Sequence, residues 1–94
     1  MAVKWLKIAL HNLGSIADYI ALDNPKRAIT FIQELREKTN LLPEFPSVGR
    51  AGRVAGTREL VVHKNYIVTY RMKGESIEIL RVRHVAQKHP ETIQ

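Results

Sequence analysis

The stretch that decides the fold is Thr57-Arg58-Glu59-Leu60-Val61-Val62-His63-Lys64-Asn65-Tyr66-Ile67-Val68-Thr69-Tyr70-Arg71-Met72-Lys73-Gly74-Glu75-Ser76-Ile77-Glu78-Ile79-Leu80-Arg81-Val82-Arg83-His84. It holds three runs rich in β-branched and aromatic residues, at 57–63, 66–72 and 76–84. Lys64-Asn65 and Lys73-Gly74-Glu75 separate them with turn residues, so the runs are predicted strands of an antiparallel meander. Strict alternation sends neighbouring side chains to opposite faces. It groups Arg58, Leu60 and Val62 on one face of the first strand. It groups Tyr66, Val68, Tyr70 and Met72 on one face of the second, and Ile77, Ile79, Arg81 and Arg83 on one face of the third. Each strand is apolar at its centre and charged towards an end.

Upstream, residues 43–57 are rich in glycine and proline and read as a long ordered loop, with Phe45 and Val48 expected to pin it to the core. Two helical patterns precede it. Ile8, Leu13, Ile16, Ala17, Ile20 and Ala21 fall at helical spacing over about 8–22, with Gly14 read as a point of close helix approach. Ala28, Ile29, Phe31, Ile32, Leu35 and Thr39 form the stripe of a second helix over about 25–42. Asn24 is a good N-cap, and Pro25 fits the first helical position, where its missing N–H has no partner to lose. Two helices around so short a joint form an αα-hairpin. Val3–Ile8 reads as a short strand or a lead into the first helix, and Val85–Gln94 as coil or an added turn. Helices followed by strands give α+β, a helical hairpin packed on a small antiparallel β-sheet.

Ninety-four residues suit a single domain spanning 1–94. No cysteine is present, which excludes a disulfide framework, a Cys-type zinc site and a thiol nucleophile. No apolar run approaches the ~20 residues that span a bilayer. The lysine-interrupted start does not resemble a secretory signal, so a cytoplasmic location without membrane association is expected. The chain is too short for a Rossmann or TIM-barrel enzyme.

The formal charge is +6, and it is lopsided. Residues 1–46 carry six Lys/Arg and five Asp/Glu; residues 47–94 carry nine and four. A one-sided basic surface attracts a polyanion or an acidic protein. Arginine dominates it, and the guanidinium suits bidentate recognition of phosphate or carboxylate. His84 beside Arg81 and Arg83 is the best candidate for acid–base work or for clamping phosphate. Tyr66 and Tyr70 read as core residues, His63 as a solvated neighbour of a turn, and Glu59 as the partner of an arginine. Metal binding is not expected, because no His/Asp/Glu pair has ligand spacing and the arginines repel cations.

The segment Gly49-Arg50-Ala51-Gly52-Arg53-Val54-Ala55-Gly56-Thr57-Arg58-Glu59-Leu60-Val61-Val62 resembles the Gly-Arg…Gly-Thr-Arg-Glu-Leu region of the RelE/ParE toxin superfamily. Asn65–Tyr70 is similar to that superfamily's next strand, Ile79–His84 to its last, and Asp23-Asn24-Pro25 to the start of its second helix. The resemblance covers nearly the whole chain and implies a β-α-α-β-β-β fold. It implies a toxin of a type II toxin–antitoxin pair, neutralised by a cognate antitoxin through which alone it meets operator DNA, with no cofactor. Two activities follow from it. RelE-like members cleave messenger RNA on the ribosome, and Arg58, Arg81 and His84 match their functional cluster. ParE-like members inhibit DNA gyrase. Val85 stands where some ribosome-dependent members carry tyrosine, their lysine-rich segment is absent, and Gly-Thr-Arg-Glu-Leu looks ParE-like, so gyrase inhibition is the expected activity. Arg50, Arg53, Arg58, Tyr66, Arg81, Arg83, His84 and Lys88 are then the expected target- or antitoxin-binding residues. A plain nucleic-acid-binding module is the third reading of the basic half.

Overall fold

The computed structural model describes residues 2–63 and 65–86. The elements run β1 (Ala2–Trp5), α1 (Lys7–Asp23), α2 (Pro25–Asn40), β2 (Arg50–Ala51), β3 (Thr57–His63), β4 (Tyr66–Lys73) and β5 (Ser76–His84). The strands form one sheet in the order β1-β5-β4-β3-β2. The expected meander is its centre, and the helical pair packs on one face, as the α+β reading requires. Two flanking strands enlarge it. β2 forms inside the glycine-rich loop and pairs antiparallel with β3, while β1 lies parallel to β5 with Val3 opposite Ile77. That parallel pair makes the sheet mixed. It is possible because the helices lie between β1 and β5 in the chain and provide the long crossover a parallel connection needs. The turn part of 64–65 at Lys64, and the tail from Gln87 onward with Lys88 and His89, lie outside the described residues.

α1 begins directly after β1, and the Leu6 N–H still donates to the Ile79 carbonyl at 3.1 Å, extending the strand ladder into the helix entry. Asn24 serves both helices. Its N–H donates to the Ile20 carbonyl at 2.9 Å, closing α1. Its side-chain oxygen accepts from the Arg27 N–H at 3.1 Å, opening α2 with Pro25 in the first turn. α2 stops at Asn40, before the expected 42; the Leu42 N–H folds back to the Thr39 carbonyl at 3.1 Å, which turns Leu42 into the core.

The core lies between the helix pair and one sheet face. Ala9 and Leu13 of α1 and Phe31 and Leu35 of α2 meet Val62, Val68, Tyr70, Ile77, Ile79 and Val82. Each large apolar side chain so buried stabilises by roughly 1.5–3 kcal/mol. Ile29, expected in the α2 stripe, is exposed instead. Gly14 does not mark a close approach: a Cβ built there meets nothing within 4 Å. The β4–β5 turn is Gly74-Glu75, with Gly74 at φ +60° and Glu75 outside the positive-φ region, the signature of a type II′ hairpin turn.

Two register shifts reset the faces. Val61 pairs with Ile67 but His63 pairs with Tyr66, leaving Val62 as an extra residue. Tyr70 pairs with Ile79 but Thr69 pairs with Arg81, leaving Leu80 as another. The second bulge corrects the strict alternation of β5. Ile77 and Ile79 face the helices, and beyond Leu80 it is Val82 and His84 that do so. Arg81 and Arg83 face the other way, opposite Thr69 and Ile67.

The loop before β3 is held differently from expectation. Phe45 and Val48 are 58% and 60% exposed and do not pin it. The fully buried Tyr70 does: its hydroxyl donates to the Pro46 carbonyl at 2.8 Å and accepts from the Gly49 N–H at 2.9 Å. Arg58 adds guanidinium bonds to the Gly49 carbonyl at 2.7 Å and the Ser47 carbonyl at 3.3 Å. Gly49 must lack a side chain, because a Cβ would sit 2.8 Å from both the Glu59 carbonyl oxygen and the Tyr70 hydroxyl. The outer edge of β3 beyond β2 is covered by α2, whose Lys38 ammonium donates to the Val62 carbonyl.

Candidate functional site

Two places on the molecule gather chemistry. The first is the sheet face turned away from the helices. Arg50 lies opposite Glu59 across β2–β3, Thr69 opposite Arg81 and Arg71 opposite Glu78 across β4–β5. Glu59 is only 7% exposed although no helix covers it, because guanidinium groups flank it: Arg50 Nε stands 3.3 Å from one carboxylate oxygen and Arg83 Nη2 3.7 Å from the other. Arg71 pairs with Glu78 at 2.7 Å. Among the described residues, Arg50, Arg71 and Arg83 pair with the carboxylates of Glu59 and Glu78, Arg81 shares their face, and the face keeps a positive excess suited to an acidic partner. The Thr69 hydroxyl, buried there opposite Arg81, has no hydrogen-bond partner among the described residues.

The second place is a cleft at the far end of the sheet, on the helix side. It is lined by Ser15, Ile16 and Tyr19 of α1 and by Tyr66 and His84, with a volume of about 400 Å³. Tyr66 forms its back wall, packed edge-on against Phe31 at 4.8 Å and His84 at 5.0 Å between ring centroids. Burial pushes the Tyr66 phenol above its ordinary pKa, and the neighbouring Tyr19 adds to the shift. The Ala86 N–H donates to His84 Nδ1 at 3.0 Å, so the neutral imidazole carries its proton on Nε2. His63 is half-buried, not solvated as expected, and its Nδ1 is enclosed beside the rings of Phe31 and Tyr66 without a hydrogen-bond partner among the described residues.

These positions separate the expected residues. Arg58 sits on the helix-side face opposite Tyr70 and is engaged by two loop carbonyls. Arg81 projects from the opposite face, and His84 returns to the helix side beside Tyr66. The three do not share a face or a groove. Arg50 and Arg83 do meet, through Glu59. Arg53 lies on the exposed approach to the Gly56 turn, and Tyr66 is in the core as read. Among the described residues no three His, Asp or Glu side chains gather so as to hold a metal ion, and no helix is long and apolar enough to cross a membrane. The cleft also takes in Ser15 and Tyr19, which lie outside the expected site residues. Their signal is a second stripe on α1, Ile8, Ser15, Tyr19 and Leu22, that recurs at helical spacing outside the core face.

The comparisons with known proteins agree with the architecture. The family model described as ParE toxin of type II toxin-antitoxin system, parDE, matches residues 3–89. Y4kP of Sinorhizobium fredii is 36% identical over 92 residues, covering 97% of this chain and 95% of that protein. Toxin RelE2 of Caulobacter vibrioides is 35% identical over 85 residues, covering 90% and 96%. A solved structure of the chromosomal ParDE TA system from P. aeruginosa superposes with a TM-score of 0.81 at 31% identity, covering 90% of this chain and 96% of that one. The Helicobacter pylori protein HP0894 shares the fold at a TM-score of 0.60 and 17% identity, covering 93% and 97%. The chain therefore belongs to the ParE toxin family within the RelE/ParE superfamily, the toxin component of a type II toxin–antitoxin system, and that membership implies a cognate antitoxin.

Proposed function

We propose that this toxin is a ParE-like inhibitor of DNA gyrase. The observation that carries the reading is the dispersal of Arg58, Arg81 and His84. Phosphoryl transfer to or from RNA needs its acid, base and charge stabiliser within hydrogen-bond reach of one reacting centre. Arg58 is instead bonded to the carbonyls of Ser47 and Gly49, while Arg81 and His84 lie on opposite sheet faces. A toxin that works by binding has no such requirement. On this reading the protein is not an enzyme. It acts in the cytoplasm, and the arginine face around Glu59 contacts the gyrase or the antitoxin. Relaxed plasmid, purified gyrase and rising toxin test it: supercoiling is expected to stop and cleaved DNA to accumulate. Normal supercoiling at saturating toxin would reject the reading.

A second reading, a RelE-like ribosome-dependent mRNA endoribonuclease, is favoured by the name of the Caulobacter relative at 35% identity. It expects defined cuts in ribosome-bound message, strongly weakened by Arg81→Ala. Intact transcripts in growth-arrested cells would remove it.

A further inference from the structure

The sheet ends differently on its two sides. On one side β2 is only two residues long, and beyond it the Lys38 ammonium of α2 donates to the Val62 carbonyl of β3. On the other side β1 is the last strand, and among the described residues nothing pairs with its outer edge. We infer that this edge takes up an extended segment of a partner protein in which apolar and acidic residues alternate, added to the sheet as a further strand beside β1.

The backbone supplies the first support. The Leu6 N–H donates inward, to the Ile79 carbonyl of β5 at 3.1 Å. Backbone groups along an extended chain alternate in direction. Lys4 therefore points inward with Leu6, and the N–H and C=O groups of Val3 and Trp5 point outward. A strand edge with such groups unpaired is a template for strand addition.

The helix-side face supplies the second. Val3 and Trp5 lie on it, packed against the core. Trp5 is also one wall of a cleft of about 210 Å³, completed by Leu10 and Leu13 of α1 and Arg36 of α2. Leu10 is 53% exposed there. Residues directly opposite on neighbouring strands share a face. The residue that an added strand sets opposite Trp5 thus projects on the side of this cleft, and an apolar side chain suits it.

The other face fixes the charge. Lys4 is exposed, and its cross-strand neighbour Glu78 is already paired with Arg71 at 2.7 Å. Arg81 and Arg83 follow on the same face along β5. Carboxylates on that face of an added strand complement its positive excess. Lys4 also opposes a second copy of this chain as the occupant. Antiparallel pairing of two copies through both Val3 and Trp5 sets Lys4 opposite its counterpart, and like charges so placed repel. An acidic segment turns the same lysine into an attraction. The inference does not depend on whether gyrase or the ribosome is the target.

The probe is a capped heptapeptide alternating glutamate with valine and leucine, added to the ¹⁵N-labelled full chain. One control carries lysine for glutamate. A second is the acidic peptide N-methylated on alternate residues, which removes the N–H groups of its pairing edge. On saturation with the acidic peptide, exchange of the Val3 and Trp5 amides is expected to slow by about tenfold or more. The fluorescence of Trp5, the only tryptophan of the chain, should shift with the same midpoint. Neither control should do either. Lys4→Glu should weaken the acidic peptide about tenfold, with an unchanged melting temperature because the side chain is exposed. Val3→Pro removes one outward N–H at an edge position that tolerates proline and should weaken it similarly; Lys4→Glu decides alone where that variant does not fold. Silence of Val3 and Trp5 overturns the inference, as does equal binding of the N-methylated peptide or a response confined to the arginine face. Protection of those amides in the free chain also overturns it, and protection that grows with protein concentration would assign the edge to a second copy instead.

Discussion

Tyr70→Phe removes one oxygen atom and should cost about 3 kcal/mol. The ring is fully buried in the core, and the substitution keeps its volume and its packing. What is lost is the junction between the core and the loop before β3. The hydroxyl gives to the Pro46 carbonyl at 2.8 Å and takes from the Gly49 N–H at 2.9 Å. Two such bonds contribute about 1 kcal/mol each. The Pro46 carbonyl is half-buried and can rehydrate, but Gly49 is buried, and an unpaired N–H there costs roughly 1–3 kcal/mol. About 3 kcal/mol is a large share of the roughly 5–14 kcal/mol expected for a domain of this size.

At roughly 4–8 °C per kcal/mol for a domain of this length, the melting temperature should fall by about 12–24 °C. Thermal and urea unfolding followed by circular dichroism would measure it. Amide exchange should localise it, with protection lost first over 46–59 and last in the helices. A change below about 2 °C would refute the reasoning, because it would mean the hydroxyl does not hold the loop. Gly49→Ala tests the same junction from the other side. Its Cβ would lie 2.8 Å from the Glu59 carbonyl, which is strand backbone and cannot swing away. Adding Tyr70→Phe should therefore not rescue it.

Gly14→Ala should stabilise by about 0.5–1 kcal/mol, because α1 gains helix propensity and the new methyl meets nothing within 4 Å; a lower urea midpoint would contradict the open space at that face. Glu59→Ala should cost about 2–3 kcal/mol by leaving the Arg83 and Arg50 guanidiniums without their shared carboxylate, with Arg50 contributing little because it is 62% exposed. Unfolding at neutral pH measures it, and a neutral outcome would show the cluster to be electrostatically idle. Tyr66 has a folded-state pKa above its ordinary value of 10, so the unfolded chain gives up that proton first. Its stabilising contribution is thus complete below pH 10 and declines as pH rises from there through the folded pKa. Phenolate absorbance should show a late-titrating component that Tyr66→Phe reduces.

Much of this molecule could be read from local chemistry. Asn24-Pro25 marked the joint between two helices because a side-chain acceptor and a residue without an N–H satisfy a helix start in any context. The bounds of β3 and β5 followed from turn residues and β-branched runs. The two flanking strands were harder to see. β1 has four residues and β2 two, and their pairing depends on partners far along the chain. The loop anchor was misread for a related reason. Phe45 and Val48 are apolar, but the backbone between them is fixed by polar groups of Tyr70 and Arg58, and strand composition does not reveal which carbonyl a buried phenol will meet.

The site suffered most from a single residue. Period-2 alternation places Ile77, Ile79, Arg81 and Arg83 together, and nothing local distinguishes Leu80 from its neighbours. Its insertion between the Tyr70–Ile79 and Thr69–Arg81 pairs is imposed by tertiary demands. Val82 must enter the core, where it is 3% exposed, and its N–H must find the Asn12 side chain of α1 at 3.1 Å. Without the bulge, strict alternation would turn Arg81 and Arg83 into that apolar layer and Val82 and His84 out of it. Burying two guanidiniums among Phe31, Val68 and Ile79 would cost far more than one irregular strand pair. The bulge thus does two things at once. It keeps the β5 core continuous, and it parts the arginines from His84, creating a basic sheet face on one side and an aromatic cleft on the other.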